Sequence, residues 1–170
     1  VNWYLAQSYE HEGAYSIAAT TFVRIADVFP RDSLAADALL RAGAAYASLW
    51  GSGEGDSVSQ SLALSAFERL HSSYPTSPRN LDADIAVRAL REYRLGLYYE
   101  RRRAYESALL YLRGIANALP NSVYARMALV RAVGIYRTPE VRRSLDAATT
   151  CAILRSSYGG ARDVQKACAS

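Results

Sequence analysis

Small and bulky residues recur along the chain at helical spacing, and one triplet keeps its offsets four times. An alanine is followed four residues later by a larger side chain, and eight residues after that by a helix stop. The copies are Ala18-Phe22-Pro30, Ala63-Phe67-Pro75, Ala108-Leu112-Pro120 and Ala147-Cys151-Gly159. A spacing of four puts both side chains on one helix face. The small residue admits a close second helix, the large one is expected to fill the groove of the next hairpin, and proline ends the helix. Upstream of each triplet lies a small residue followed three later by tyrosine: Ala6-Tyr9, Gly43-Tyr46, Gly96-Tyr99 and a degenerate Val133-Tyr136. From that tyrosine to the next alanine is nine residues in the first and third copies, which both carry a second tyrosine, Tyr15 and Tyr105. The second copy stretches the distance to seventeen, and the additional residues fall on Gly51-Ser52-Gly53-Glu54-Gly55-Asp56-Ser57-Val58, where an inter-helix turn belongs.

Two antiparallel helices per unit of about 34 residues is the pattern of tetratricopeptide repeats. The punctuation predicts helices over 2–11 and 15–29, from a Ser33 cap to about Trp50, over 59–74, from Ser77-Pro78 to about Arg102, and over 105–119 and 122–137. An eighth is expected from Thr138-Pro139-Glu140 to the Gly159-Gly160 stop, and a short last helix over 161–169 would pack over the open end. Serine caps and first-turn prolines suit helix starts because they satisfy or remove donors without intrahelical partners. No segment alternates with a strand period, so the expected fold is an all-α solenoid of helix hairpins in a single domain, with repeats over 1–30, 33–75, 78–120 and 122–159 and a capping helix over 161–169.

Composition fits this picture. At 170 residues and 51% hydrophobic, the chain can bury one continuous core, and no apolar run approaches the ~18 residues of a membrane span. Position 1 is Val, and Asn2-Trp3-Tyr4-Leu5 already lies in repeat phase without a cap, so upstream sequence is expected, with any signal peptide or anchor in it. Net charge is +4, with Lys166 the sole lysine. The only dense basic run, Arg101-Arg102-Arg103, reads as a solvated helix end opposing the C-terminal dipole, or else as a protein contact; it is not the long basic stripe that nucleic acid requires.

Catalytic signals are weak. His11 and His71, the only histidines, stand in no metal-ligand spacing with Cys, Asp or Glu. The glycine-rich stretch at 51–55 lacks the preceding strand and the Lys-Ser/Thr ending of a phosphate loop. The expectation is a protein without catalytic residues, metal or cofactor. Cys151 and Cys168 lie eight to nine residues on either side of the Gly159-Gly160 turn and both in inward-facing phase. They are either a disulfide stapling the last helix in an oxidising compartment or two reduced core thiols.

Three stretches carry a family resemblance: Trp3-Tyr4-Leu5-Ala6-Gln7-Ser8-Tyr9 with Phe29-Pro30; Leu90-Arg91-Glu92-Tyr93 running into Leu97-Tyr98-Tyr99-Glu100-Arg101-Arg102; and Ala104-Tyr105-Glu106-Ser107-Ala108 with Leu119-Pro120-Asn121-Ser122. Together they resemble the BamD (YfiO/ComL) family, lipoproteins of the bacterial outer-membrane β-barrel assembly machinery. The resemblance implies a lipid-anchored periplasmic scaffold of five repeats, of which this chain resembles the second to fifth. It also implies partners: the barrel-forming subunit, other assembly lipoproteins and unfolded outer-membrane proteins, with membrane association through those partners or through an N-terminal lipid anchor. The inserted loop departs from the family in being glycine-serine-acid rather than longer and rich in proline and aromatics. The other reading is a structural repeat subunit or adaptor of a different cell-envelope or membrane complex. A cytosolic co-chaperone would carry a basic carboxylate clamp, which the groove positions lack.

In tetratricopeptide stacks the concave wall comes from the first helix of each hairpin, at fixed offsets from the small residue. On this chain the offsets select Trp3, Gln7, Glu10 and His11, then Leu40, Ala44 and Ser48, then Tyr93, Leu97, Glu100 and Arg101. The small side chains of the second repeat, flanked by Trp3 and Tyr93, read as a slot for an apolar or aromatic ligand residue; alternatively Trp3 only covers an upstream repeat. By resemblance, Arg126 after the Pro120-Asn121-Ser122 turn would project from the edge toward the barrel-forming subunit. The plainer reading is an exposed arginine paired locally.

Overall fold

The computed structural model describes residues 2–51 and 57–169. Among these residues there are nine helices and no strand, and the protein is 80% helical. In order they are α1 Asn2–His11, α2 Tyr15–Val28, α3 Ala35–Gly51, α4 Ser57–Ser73, α5 Arg79–Arg101, α6 Tyr105–Ala118, α7 Val123–Tyr136, α8 Ser144–Tyr158 and α9 Arg162–Ala167. The core of the expected insertion, residues 52–56, lies outside the described residues. The helices gather into two compact units, Val1–Arg88 and Ala89–Ser170, with the boundary inside α5. In the first unit α1 packs on α2, α2 on α3 and α3 on α4; in the second, α6 packs on α7, α7 on α8, and α9 on both α7 and α8. Adjacent helices thus form a hairpin-like series.

The repeated small and large residues explain this packing. Ala18, Phe22, Ala63, Phe67, Ala108 and Leu112 are fully buried, and Ala147 and Cys151 nearly so. In two hairpins the large residue meets the small residue of the first helix, and Phe22 also lies beside Arg41 of the next hairpin. A Cβ built on Gly43 of α3 would lie 2.4 Å from Phe67 Cε1 on α4, and one on Gly96 of α5 would lie 3.0 Å from Leu112 Cδ2 on α6. In the last hairpin the sizes are exchanged. Val133 takes the small position and Cys151 the large one, and the two meet in a core cluster with Leu154, Val164 and Cys168. What looked degenerate in sequence is a volume-conserving swap, the kind of core change that packing tolerates best.

Turn chemistry repeats as well. After α1, Gly13 takes φ 75° and Ala14 N–H donates to the Tyr9 carbonyl at 2.8 Å. After α5, Arg103 takes φ 59° and Ala104 N–H donates to the Tyr99 carbonyl at 3.0 Å. Only glycine adopts that left-handed conformation without steric cost, so the second turn is strained where the first is not. Ser122 caps α7 by accepting from Ala125 N–H at 3.0 Å, and Ser77 Oγ accepts from Arg79 N–H at 3.2 Å.

Two helix starts differ from the reading of the sequence. At α3 it is Asp32, not Ser33, whose side chain accepts a backbone N–H, that of Leu34 at 2.8 Å. Thr138-Pro139-Glu140 does not open α8, which starts at Ser144. The Thr138 hydroxyl donates back to the Ile135 carbonyl at 2.8 Å, so it closes α7 rather than capping a new helix. Arg143 N–H then returns to the Tyr136 carbonyl, across a turn in which Arg142 has φ 50°.

Candidate protein-binding surface

In the first unit, the groove positions of α1 are tied together by a residue that the spacing did not select. Trp3, half-buried, packs edge-to-face on the buried Phe22 ring, with centroids 5.3 Å apart. Arg41 of α3 lies 5.6 Å from the centroids of both rings and pairs with Glu10 at 3.0 Å. An arginine over aromatic faces with a half-buried carboxylate partner is held in one orientation, so α1, α2 and α3 are clamped by polar as well as apolar contact. Gln7 is half-buried and His11 exposed at the end of α1. On α3, Leu40 and Ala44 are half-buried, but Ser48 is 1% exposed and does not present its side chain to a ligand.

In the second unit the selected residues divide by burial. Tyr93 is 4% exposed and cannot act as the lip of a slot. Burial pushes its phenol up to about 12; Arg131 opposes that rise, while Glu100 and Asp163 add to it. The expected phase is therefore rotated by about one residue. Leu97 and Glu100 are half-buried, Glu100 held by Arg131 at 2.6 Å, whereas Arg101 is exposed. The exposed face of this half of α5 carries Arg91, Arg94, Leu95, Tyr98 and Arg101 instead, continued by the exposed turn residue Arg102.

Arg126 does not project from an edge. It is 8% exposed, and its Nε lies 3.2 Å from Oδ2 of Asp163 on α9, whose side chain is 4% exposed. α9 folds back over α7, and a carboxylate from the last helix meets the guanidinium before any partner can. Tyr158 borders the same cluster. Its pKa is raised by burial, against the opposing pull of the Arg126 charge and the Asn121 backbone. Cys151 and Cys168 are joined, with Sγ–Sγ 2.04 Å and Cα atoms 5.6 Å apart, which staples the end of α9 to α8. Sequence reasoning selected Tyr93, Glu100 and Arg126 but missed Arg131 and Asp163, the groups that engage them. Arg131 lies 31 residues beyond Glu100, the same interval that separates Arg41 from Glu10, and that recurrence was the available signal.

Charge is divided between the units. Residues 1–88 carry six Arg against ten Asp and Glu, a formal −4; residues 89–170 carry fourteen Lys and Arg against six, a formal +8. Among the described residues no group of three or more His, Cys, Asp or Glu could hold a metal ion, and no helix is long and apolar enough to cross a membrane. No protein-family model matches the chain, and no curated protein matches it.

Proposed function

We propose that this chain is a non-catalytic tetratricopeptide-type scaffold that holds protein partners on its helix faces, serving assembly and insertion of β-barrel proteins at the bacterial outer membrane from the periplasmic side. The observation that carries the reading is the small-to-large register, kept in three successive hairpins with the sizes exchanged in the fourth, and met by the close approaches of Gly43 to Phe67 and Gly96 to Leu112. Hairpins joined by that register build long helical walls, which hold an extended or helical segment without a deep pocket. The barrel-assembly context rests on the three stretches that resemble the BamD family and on the Cys151–Cys168 bridge, which suits an oxidising compartment. The partners are then the barrel-forming subunit, companion lipoproteins and unfolded barrel segments.

The test is affinity purification from detergent-solubilised membranes of the source cell. Recovery of a β-barrel subunit and its lipoproteins in stoichiometric amount is the expected result. Recovery of a different stoichiometric envelope complex would assign the scaffold to that complex and overturn the barrel-assembly reading.

A further inference from the structure

The exposed face of the second half of α5 has a composition that packing does not explain. Arg91, Arg94, Leu95, Tyr98 and Arg101 are all exposed, and at 100° per residue they fall within about a third of the helix circumference, with the exposed turn residue Arg102 directly after them. From Arg91 to Arg102 the face is about 16 Å long at 1.5 Å per residue. It holds four arginines and no acidic residue: Glu92 and Glu100 lie on other sides of the helix, and Glu100 is taken by Arg131. Among the described residues Arg91, Arg94 and Arg101 form no ion pair. By contrast Arg103, Arg126, Arg131 and Arg143 of the same unit each reach a carboxylate on another element, which leaves the charges of this face uncompensated by the fold.

The middle of the face is ordered from behind. Tyr111 of α6 stacks on Tyr99 with centroids 5.5 Å apart, Tyr99 meets Tyr98 edge-on at 5.3 Å, and the Arg102 guanidinium lies 4.7 Å from the Tyr98 ring centre. This ladder fixes the Tyr98 ring and one guanidinium before any ligand arrives, so part of the ordering cost of binding is already met. Leu95 and Tyr98, each 41% exposed, form an apolar centre between arginines at both ends.

We infer that this face of α5 is a docking site for an acidic peptide segment, one with carboxylates near both ends and an apolar residue between them. Arginine forks take carboxylates in two parallel hydrogen bonds, and the arginine clusters at the ends stand apart by about four residues of extended chain. The formal +8 of this unit would steer such a segment toward it. Two other polyanions fit less well. Single-stranded nucleic acid needs several open aromatic faces for base stacking, and here the one exposed ring, Tyr98, already carries Arg102 over a face. An anionic membrane needs a wide apolar face to insert, and here only Leu95 and Tyr98 are offered. The inference goes beyond barrel assembly: a purification that recovers another complex leaves it standing, and its own failure leaves the scaffold reading standing.

The test uses the whole chain and a fluorescein-labelled decapeptide with Asp and Glu at both ends and Leu-Phe at the centre, alongside a version in which Asn and Gln replace the acids. Vesicles containing phosphatidylglycerol form a separate arm. The expected result is saturable binding of the acidic peptide by anisotropy, weakened at least tenfold in Arg94→Gln/Arg101→Gln and in the neutral peptide. Arg113→Gln/Arg162→Gln, which removes the same charge elsewhere on the unit, should bind within twofold of the parent, with circular dichroism confirming that both variants are folded. Equal binding of the two peptides, equal loss in both double variants, or binding to vesicles but not to peptide would each overturn the proposal.

Discussion

Four helical glycines of this chain should respond to the same substitution with different signs, because only two of them face a neighbouring helix. Gly43→Ala places a methyl group 2.4 Å from Phe67 Cε1 and 2.5 Å from its Cζ, inside any van der Waals contact. Phe67 is fully buried, so the ring has to move within a packed core. Overpacking of this kind costs about 1–3 kcal/mol, and replacing glycine in a helix interior returns about 1 kcal/mol. The expected net loss is about 1 kcal/mol. At Gly96 the nearest atoms are the Leu112 Cδ2 and Cγ at 3.0 and 3.1 Å, a flexible side chain that yields, so Gly96→Ala should fall within about 0.5 kcal/mol of the parent. Gly114 and Gly134 have nothing within 4 Å of a built Cβ, so alanine there should stabilise by about 0.5–1 kcal/mol. The decisive measurement is a double-mutant cycle by urea unfolding, followed by circular dichroism. Phe67→Leu alone opens a cavity, and combined with Gly43→Ala the added methyl group fills part of it instead of striking the ring. The pair should therefore be more stable than the sum of the single changes by about 1 kcal/mol. Additive effects, or a Gly43→Ala protein as stable as Gly114→Ala, would refute the close-contact reasoning.

Arg126→Ala leaves the Asp163 carboxylate buried without its cation and should destabilise the second unit by about 3 kcal/mol, whereas Arg126→Met/Asp163→Leu should recover most of that; urea midpoints decide it, and a loss under about 1 kcal/mol would mean the pair is solvated. Reduction of Cys151–Cys168 releases a loop of 17 residues and should lower stability by about 3 kcal/mol, with faster hydrogen exchange confined at first to α9; an unchanged exchange pattern would show that α9 is held without the bridge. The Tyr93 phenol is pushed up to about 12 in the fold against about 10 in an unfolded chain. Since the folded pKa is the higher one, its contribution is whole below pH ~10 and is lost as pH rises toward ~12, and Tyr93→Phe should flatten the stability profile in that window.

The all-α class and the rhythm of helices were legible in the sequence because both rest on local rules. Alanine and phenylalanine four apart mark a buried helix face, proline and Gly-Gly stop a helix, and Ser77 and Ser122 cap one, all within a few residues of chain. The misread starts at Asp32 and Ser144 show the limit even there: two neighbouring side chains offered the same cap, and Thr138 turned backward to the helix it ended.

Which surface faces outward was decided elsewhere. Helical phase inferred from a repeat is uncertain by one residue, and one residue is 100° of rotation, enough to bury Tyr93 and expose Arg94 and Tyr98. The fate of Arg126 depended on Asp163, which lies 37 positions away and reaches it only because α9 folds back across α7. The chain alone therefore determined the helices and the residues that join them in pairs. The ion pairs of Arg41, Arg126 and Arg131 are contacts between distant parts of the chain and came into being only when the helices packed, and the same packing left Arg91, Arg94 and Arg101 without an ion pair among the described residues.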